Sequence, residues 1–210
     1  MSAAFHRPEN HAEAAPSASD PSAELAACVE EYQKTGDVGI LLDQVKALAK
    51  RTAPDALKAA SQPFRQMPEV VIPVYERVVQ DNSTDAQAMV VLANAYWLTG
   101  RGPAAVEQLA VRAKEIDPSN RGAWHLWALT QANLRQRVER WLEVAKRFPA
   151  DQLARAALAD NATSLANDES DPVALKLAIA TYEGLLAEST HTAQRLAIEE
   201  SLKVLRGWRL

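Results

Sequence analysis

The chain has 210 residues, a net charge of -4 and 48% apolar residues, enough to build a buried core. No run approaches the roughly 18 apolar residues of a membrane span, and the mild acidity argues against a general nucleic-acid footprint. One cysteine permits no internal disulfide, which suits a reducing, cytoplasmic setting.

Residues 1–21, MSAAFHRPENHAEAAPSASDP, are rich in Ala, Ser, Pro and polar groups and carry no hydrophobic period. They are predicted to be a disordered N-terminal tail, with the helical body spanning 22–210. They also lack the continuous apolar core of a secretory signal. From Ala23 to Lys50, Leu25, Cys28, Val29 and Tyr32 precede Gly36, and Leu41, Leu42, Val45 and Leu48 follow it. That is the pattern of two amphipathic helices around a glycine turn. Residues 54–81 are predicted to give a second pair, with helices near 54–65 and 68–81. Pro73 should kink the latter or delay its start.

The window Ala86 to Asn120, AQAMVVLANAYWLTGRGPAAVEQLAVRAKEIDPSN, is the most informative. Met89 to Leu98 is apolar nearly all round, as in a helix sandwiched between neighbours. Gly100 ends it, and Pro103 fits the first turn of the next helix. There Val106, Leu109, Ala110, Ala113 and Ile116 recur on one face, leaving Glu107, Arg112 and Lys114 outside. Ala93 and Ala105 are small where two helices should approach closely. With Met89, Leu92-Ala93, Tyr96, Gly100, Ala105, Ala113 and Asp117-Pro118 in place, this window resembles one tetratricopeptide (TPR) repeat. The resemblance implies an all-α, α-α superhelical solenoid of helix–turn–helix repeats that binds other proteins. It implies no catalysis. Two antiparallel helices bury only one shared face, so one unit must stack on others.

Downstream, Asn120 to Phe148 forms another predicted pair, opened by Trp124, Trp127 and Ala128, with its turn near Asn133 to Gln136. It is closed by Val138, Trp141, Leu142 and Ala145. Pro149 follows Pro118 by 31 residues, about one period, and Pro54 precedes it by 64, about two. Helical stretches over 151–166, 172–187 and 191–207 complete the reading, the last covering the open end of the stack. The sum is five helix pairs and a C-terminal capping helix.

A search for chemistry returns no catalytic, cofactor-binding or metal-binding set. His6, His11, His125 and His191 are scattered, and one cysteine cannot complete a zinc site with them. Cys28 falls on an apolar face and is read as a small core residue. In the TPR family the first helix of each pair lines a concave groove. The repeat frame then turns Gln87, Val90, Asn94, Trp97 and Leu98 toward a partner, joined by His125, Leu129 and Asn133 from the next unit. Some family members grip a chaperone's C-terminal carboxylate with cations and asparagines at these places. Here Val90 and His125 stand where cations would be, so a groove for an apolar helix or extended segment is expected instead. A second candidate is basic: Arg135, Arg137, Arg140, Lys146 and Arg147 lie within 13 residues. It is read as a solvated helix face or a patch for an acidic protein. The expected partner is another protein, its identity unknown, and the alternative is self-assembly into a homo-oligomer through stacked edge helices.

Overall fold

Short polar residues and prolines start the helices of this chain. The computed structural model describes residues 20–209. Side chains of Asp20, Asp37, Asp85, Asn120, Asn133, Asp151 and Asp171 each accept a hydrogen bond from a backbone amide in the first turn that follows. Each thereby satisfies an amide that the helix itself cannot. Prolines sit in the first turn of five of the helices as well.

Eleven α-helices result among the described residues. They pair as α1 (Pro21–Thr35) with α2 (Val38–Arg51), α3 (Pro54–Ser61) with α4 (Pro68–Asp81), and α5 (Ala86–Leu98) with α6 (Pro103–Ile116). α7 (Arg121–Leu129) pairs with α8 (Leu134–Arg147), α9 (Gln152–Glu169) with α10 (Pro172–Glu188), and α11 (Thr192–Arg206) ends the stack. Each pair packs internally, and α4, α6, α8 and α10 also pack on the first helix of the next pair. The first helices, hereafter inner helices, touch along the stack as α1–α3 and α5–α7. This is the repeating step of an α-α solenoid, capped by α11 as expected.

Gly36 takes φ 71° to close α1, and Gly102 takes φ 95° just before α6, conformations a Cβ would strain. The core is continuous from α1 to α7 and resumes from α7 to α11, with Trp127 packed against both parts.

Several sequence expectations need correction. Asp20 and Pro21 cap and open α1, so the helical body takes in the last two residues of the predicted tail; residues 1–19 lie outside the described region. α3 stops at Ser61 and a 3-10 turn covers Gln62–Phe64, because Pro63 has no amide to continue the ladder. Pro73 is buried inside α4, whose start at Pro68 it does not delay. Near 133–136 no glycine turn is needed: α7 ends at Leu129, and Asn133 already caps α8. Ile116 is exposed, and Ala105 is half-buried beside an open surface groove of about 780 Å³ rather than at a tight crossing. Ala93, in contrast, is fully buried.

Candidate functional site

Helical geometry selects the surface the inner helices present. Residues 2, 9, 12 and 13 positions after a helix cap fall within about 100° of arc. On α5, counted from Asp85, these are Gln87, Asn94, Trp97 and Leu98. On α7, counted from Asn120, position 9 is Leu129; on α9, counted from Asp151, position 2 is Leu153. On α11, counted from His191, position 13 is Val204. Leu98 is 79% exposed, Leu153 73%, Val204 50%, Trp97 41% and Leu129 36%. Half of the large exposed apolar side chains of the described residues therefore fall in the same cap-relative arc of α5, α7, α9 and α11. Leu153 was not singled out in the sequence, although the same cap-relative register marks it.

Two pockets repeat on this face in the same frame. The first, about 220 Å³, is lined from α5 by Gln87, Val91, Asn94, Ala95 and Leu98, at cap positions 2, 6, 9, 10 and 13. Arg65 and Gln66 close it from the preceding pair. The second, about 430 Å³, is lined from α11 by Ala197, Glu200, Ser201, Val204 and Leu205, sharing positions 6, 9, 10 and 13 with the first, together with Thr163, Tyr182 and Trp208.

Position 5 does a different job. Lys58 on α3 reaches Asp85, the cap of α5, at 2.6 Å. His125 on α7 reaches Asp151, the cap of α9, at 2.7 Å, and Arg121 stands 3.5 Å from the same oxygen. Val90, the equivalent on α5, cannot bond, and Gln87 one turn earlier accepts from the α7 cap Asn120 at 3.2 Å. Val90 is 6% exposed, and a Cβ on Gly122 would meet its Cγ1 at 2.9 Å. The expected groove roles of Val90 and His125 are thus corrected. Both face the start of the following inner helix and tie repeat to repeat. Leu196, the same position on α11, is 61% exposed because no described helix follows.

Burial alone would raise the carboxyl of Asp85, but the Lys58 ammonium and the amides of Ala88 and Gln87 outweigh it and hold it below the usual range. The Asp85 hydrogen bond raises Lys58 in turn. Asn133 caps α8, its Oδ1 accepting from the Gln136 amide at 3.0 Å. Asn94 is exposed on α5, with Nδ2 donating to the Val90 carbonyl at 3.0 Å.

The basic cluster is largely engaged within the fold. Arg135 bridges Glu169 and Asp171 across the α9–α10 turn. Arg137 donates to Asn161 at 2.8 Å and to the Gln131 carbonyl at 3.2 Å. Arg140 donates to the Trp127 carbonyl at 2.7 Å, pairs with Glu107 at 2.6 Å and lies over the Trp127 ring. Arg147 reaches the Pro118 carbonyl at 3.4 Å. Lys146 alone of the five has neither a hydrogen bond nor an ion pair among the described residues. Arg135 and Arg140 are thus ion-paired within the fold, whereas Arg137, Lys146 and Arg147 have no acidic partner among the described residues.

Lys114, expected outside, lies 3.6 Å from the ring centre of Trp127 and 4.3 Å from that of Trp124. Burial, the largest influence, pushes its ammonium down, against Glu143 and with Arg140. Trp127 is thus held between Lys114 of α6 and Arg140 of α8. Cys28 is half-buried on α1 and its thiol is pushed up by burial, as befits a core residue. Among the described residues no cluster of His, Cys, Asp or Glu could hold a metal ion.

No family model matches the sequence, and no curated protein matches it. Solved structures do match its fold. PilF of Pseudomonas aeruginosa superposes with a TM-score of 0.59 at 14% identity, over 89% of this chain and 85% of that one. A MamA protein gives 0.56 at 13% identity over 82% and 97%. A thermophilic TPR protein of Thermus thermophilus gives 0.54 at 15% identity over 87% and 98%. The chain therefore has the tetratricopeptide-repeat fold. No described helix is long and apolar enough to cross a membrane.

Proposed function

We propose that this chain is a non-enzymatic protein-interaction scaffold, working in the cytoplasm, whose inner face receives a peptide or helix of another protein. The observation that carries this reading is the collection of Trp97, Leu98, Leu129, Leu153 and Val204 on one face of the inner helices, all left exposed. Large apolar side chains gathered on a concave surface mark interaction sites, and the fold supports scaffolding in general. Self-assembly is the second reading, supported by Val38 and Ile40 on α2 and Leu196 on α11, which are exposed at the two ends of the stack.

Affinity capture followed by mass spectrometry identifies the partner, and titration calorimetry then compares variants. Leu98→Asp with Leu129→Asp should abolish binding, whereas Ile116→Asp with Val173→Asp, also exposed but off this face, should leave it intact. Binding that survives the first pair and fails with the second would refute the site. Light scattering across a dilution series separates the two readings, a constant monomer supporting the scaffold.

A further inference from the structure

We infer that Lys114 is an acylation site, taking its acyl group from a small activated donor, an acyl phosphate or an acyl thioester. The inference concerns the body of the solenoid and stands apart from the reading of the inner face.

The setting of the amine carries it. Lys58 and Lys114 are the half-buried lysines of the described residues, and the others are exposed. Lys58 Nζ meets the Asp85 carboxylate at 2.6 Å. Among the described residues Lys114 Nζ makes no ion pair and no hydrogen bond. It lies instead over two indoles, 3.6 Å from the ring centre of Trp127 and 4.3 Å from that of Trp124. The Arg140 guanidinium shares the Trp127 ring at 4.8 Å.

Only the neutral amine is a nucleophile. Desolvation and a neighbouring cation are the two settings that bring a lysine toward that form. Lys114 has both, and its ammonium is pushed down chiefly by burial, against Glu143 and with Arg140. Lys58 is raised by its Asp85 hydrogen bond. Two lysines of similar burial are thus displaced in opposite directions, and the second is a control for the first.

In the reaction, the Nζ electron pair attacks the carbonyl carbon of the donor. The N–C bond forms while the C–O bond to phosphate, or the C–S bond to the thiolate, breaks. The leaving group departs with that electron pair and takes up one Nζ proton. A neutral amide replaces the ammonium over Trp127, the side chain packed against both parts of the core.

The test incubates the full chain with acetyl phosphate and, separately, with acetyl coenzyme A. Mass spectrometry of digests drawn over time follows each lysine. With at least one donor, Lys114 should acetylate about tenfold faster than Lys58 or more, and faster than the exposed Lys46 and Lys176. The donor that works identifies the source. Glu143→Gln, a change at an exposed position, should speed Lys114, and Arg140→Gln should slow it. Circular dichroism verifies that both variants stay folded. A Lys114 rate at or below those of Lys46 and Lys176 with both donors would overturn the assignment. So would a rate indifferent to Glu143→Gln.

Discussion

His125 and Asp151 meet Nε2 to Oδ2 at 2.7 Å, and the same Asp151 caps α9 through the amides of Leu153 and Ala154. One carboxylate thus ends one repeat and starts the next, and its side chain is almost fully buried. Trp141 stacks edge-on against the imidazole from α8. Asp151→Ala removes a cap, worth about 0.5–2 kcal/mol, and strands the histidine, worth about 1–3 more. The expected loss is about 2–4 kcal/mol in denaturant unfolding. A loss below about 1 kcal/mol would show the junction to be held by apolar packing alone.

The Lys58–Asp85 junction predicts a pH dependence. The folded-state pKa of Asp85 is depressed, so its contribution is present above the unfolded value of about 3.9 and is lost as pH falls through the folded value. Lys58 is raised, so its share is present below about 10.4 and is lost as pH climbs through the folded value. Asp85→Asn should therefore cost most stability at pH 7, and the gap to wild type should close toward pH 2. Urea titrations at several pH values measure that gap, and a constant gap would contradict the assignment.

Trp127 joins the two parts of the core. Trp127→Ala should cost about 3–5 kcal/mol. It should also split thermal unfolding into two transitions, because a solenoid is held together by nearest-neighbour interfaces. Calorimetry would show this directly; one cooperative transition at the wild-type midpoint would refute the bridging role. Arg140→Ala should cost about 1.5–3 kcal/mol by stranding Glu107 and the Trp127 carbonyl, whereas Arg147→Ala should cost under about 0.5.

Alanine positions give a contrasting pair. Ala93 is fully buried between helices, so Ala93→Leu should cost about 1–3 kcal/mol or more. Ala105 lines an open groove, so Ala105→Leu should cost less than about 1 kcal/mol. Equal losses in thermal melts would mean the two crossings are equally tight.

Helix order and pairing were legible because this chain punctuates its helices with Asp, Asn, Pro and Gly at their ends. The same signals misplaced the α7–α8 turn, where Asn133 is a cap without a glycine and α7 is only nine residues long. The site was half legible. Trp97, Leu98, Leu129 and Asn94 follow from helical register. Val90 and His125 share that register, but the next inner helix comes down on them, an event of packing that no single helix records. Arg135, Arg137 and Arg140 read as a free basic patch because their acceptors lie in other helices or in a backbone carbonyl thirteen residues away. Lys114 read as solvent-facing because the indoles that cover it belong to the following repeat.

Site-specific photo-crosslinking tests the central claim most directly. A benzophenone amino acid is placed in turn at Leu98, Leu129 and Leu153 on the inner face, and at Ile116 and Val173 away from it. All five positions are exposed, so none should disturb the fold. The account predicts that, in cells, the three inner positions crosslink to one and the same protein and the two outer ones do not. Crosslinks formed at Ile116 and Val173 but absent from the inner three would contradict it.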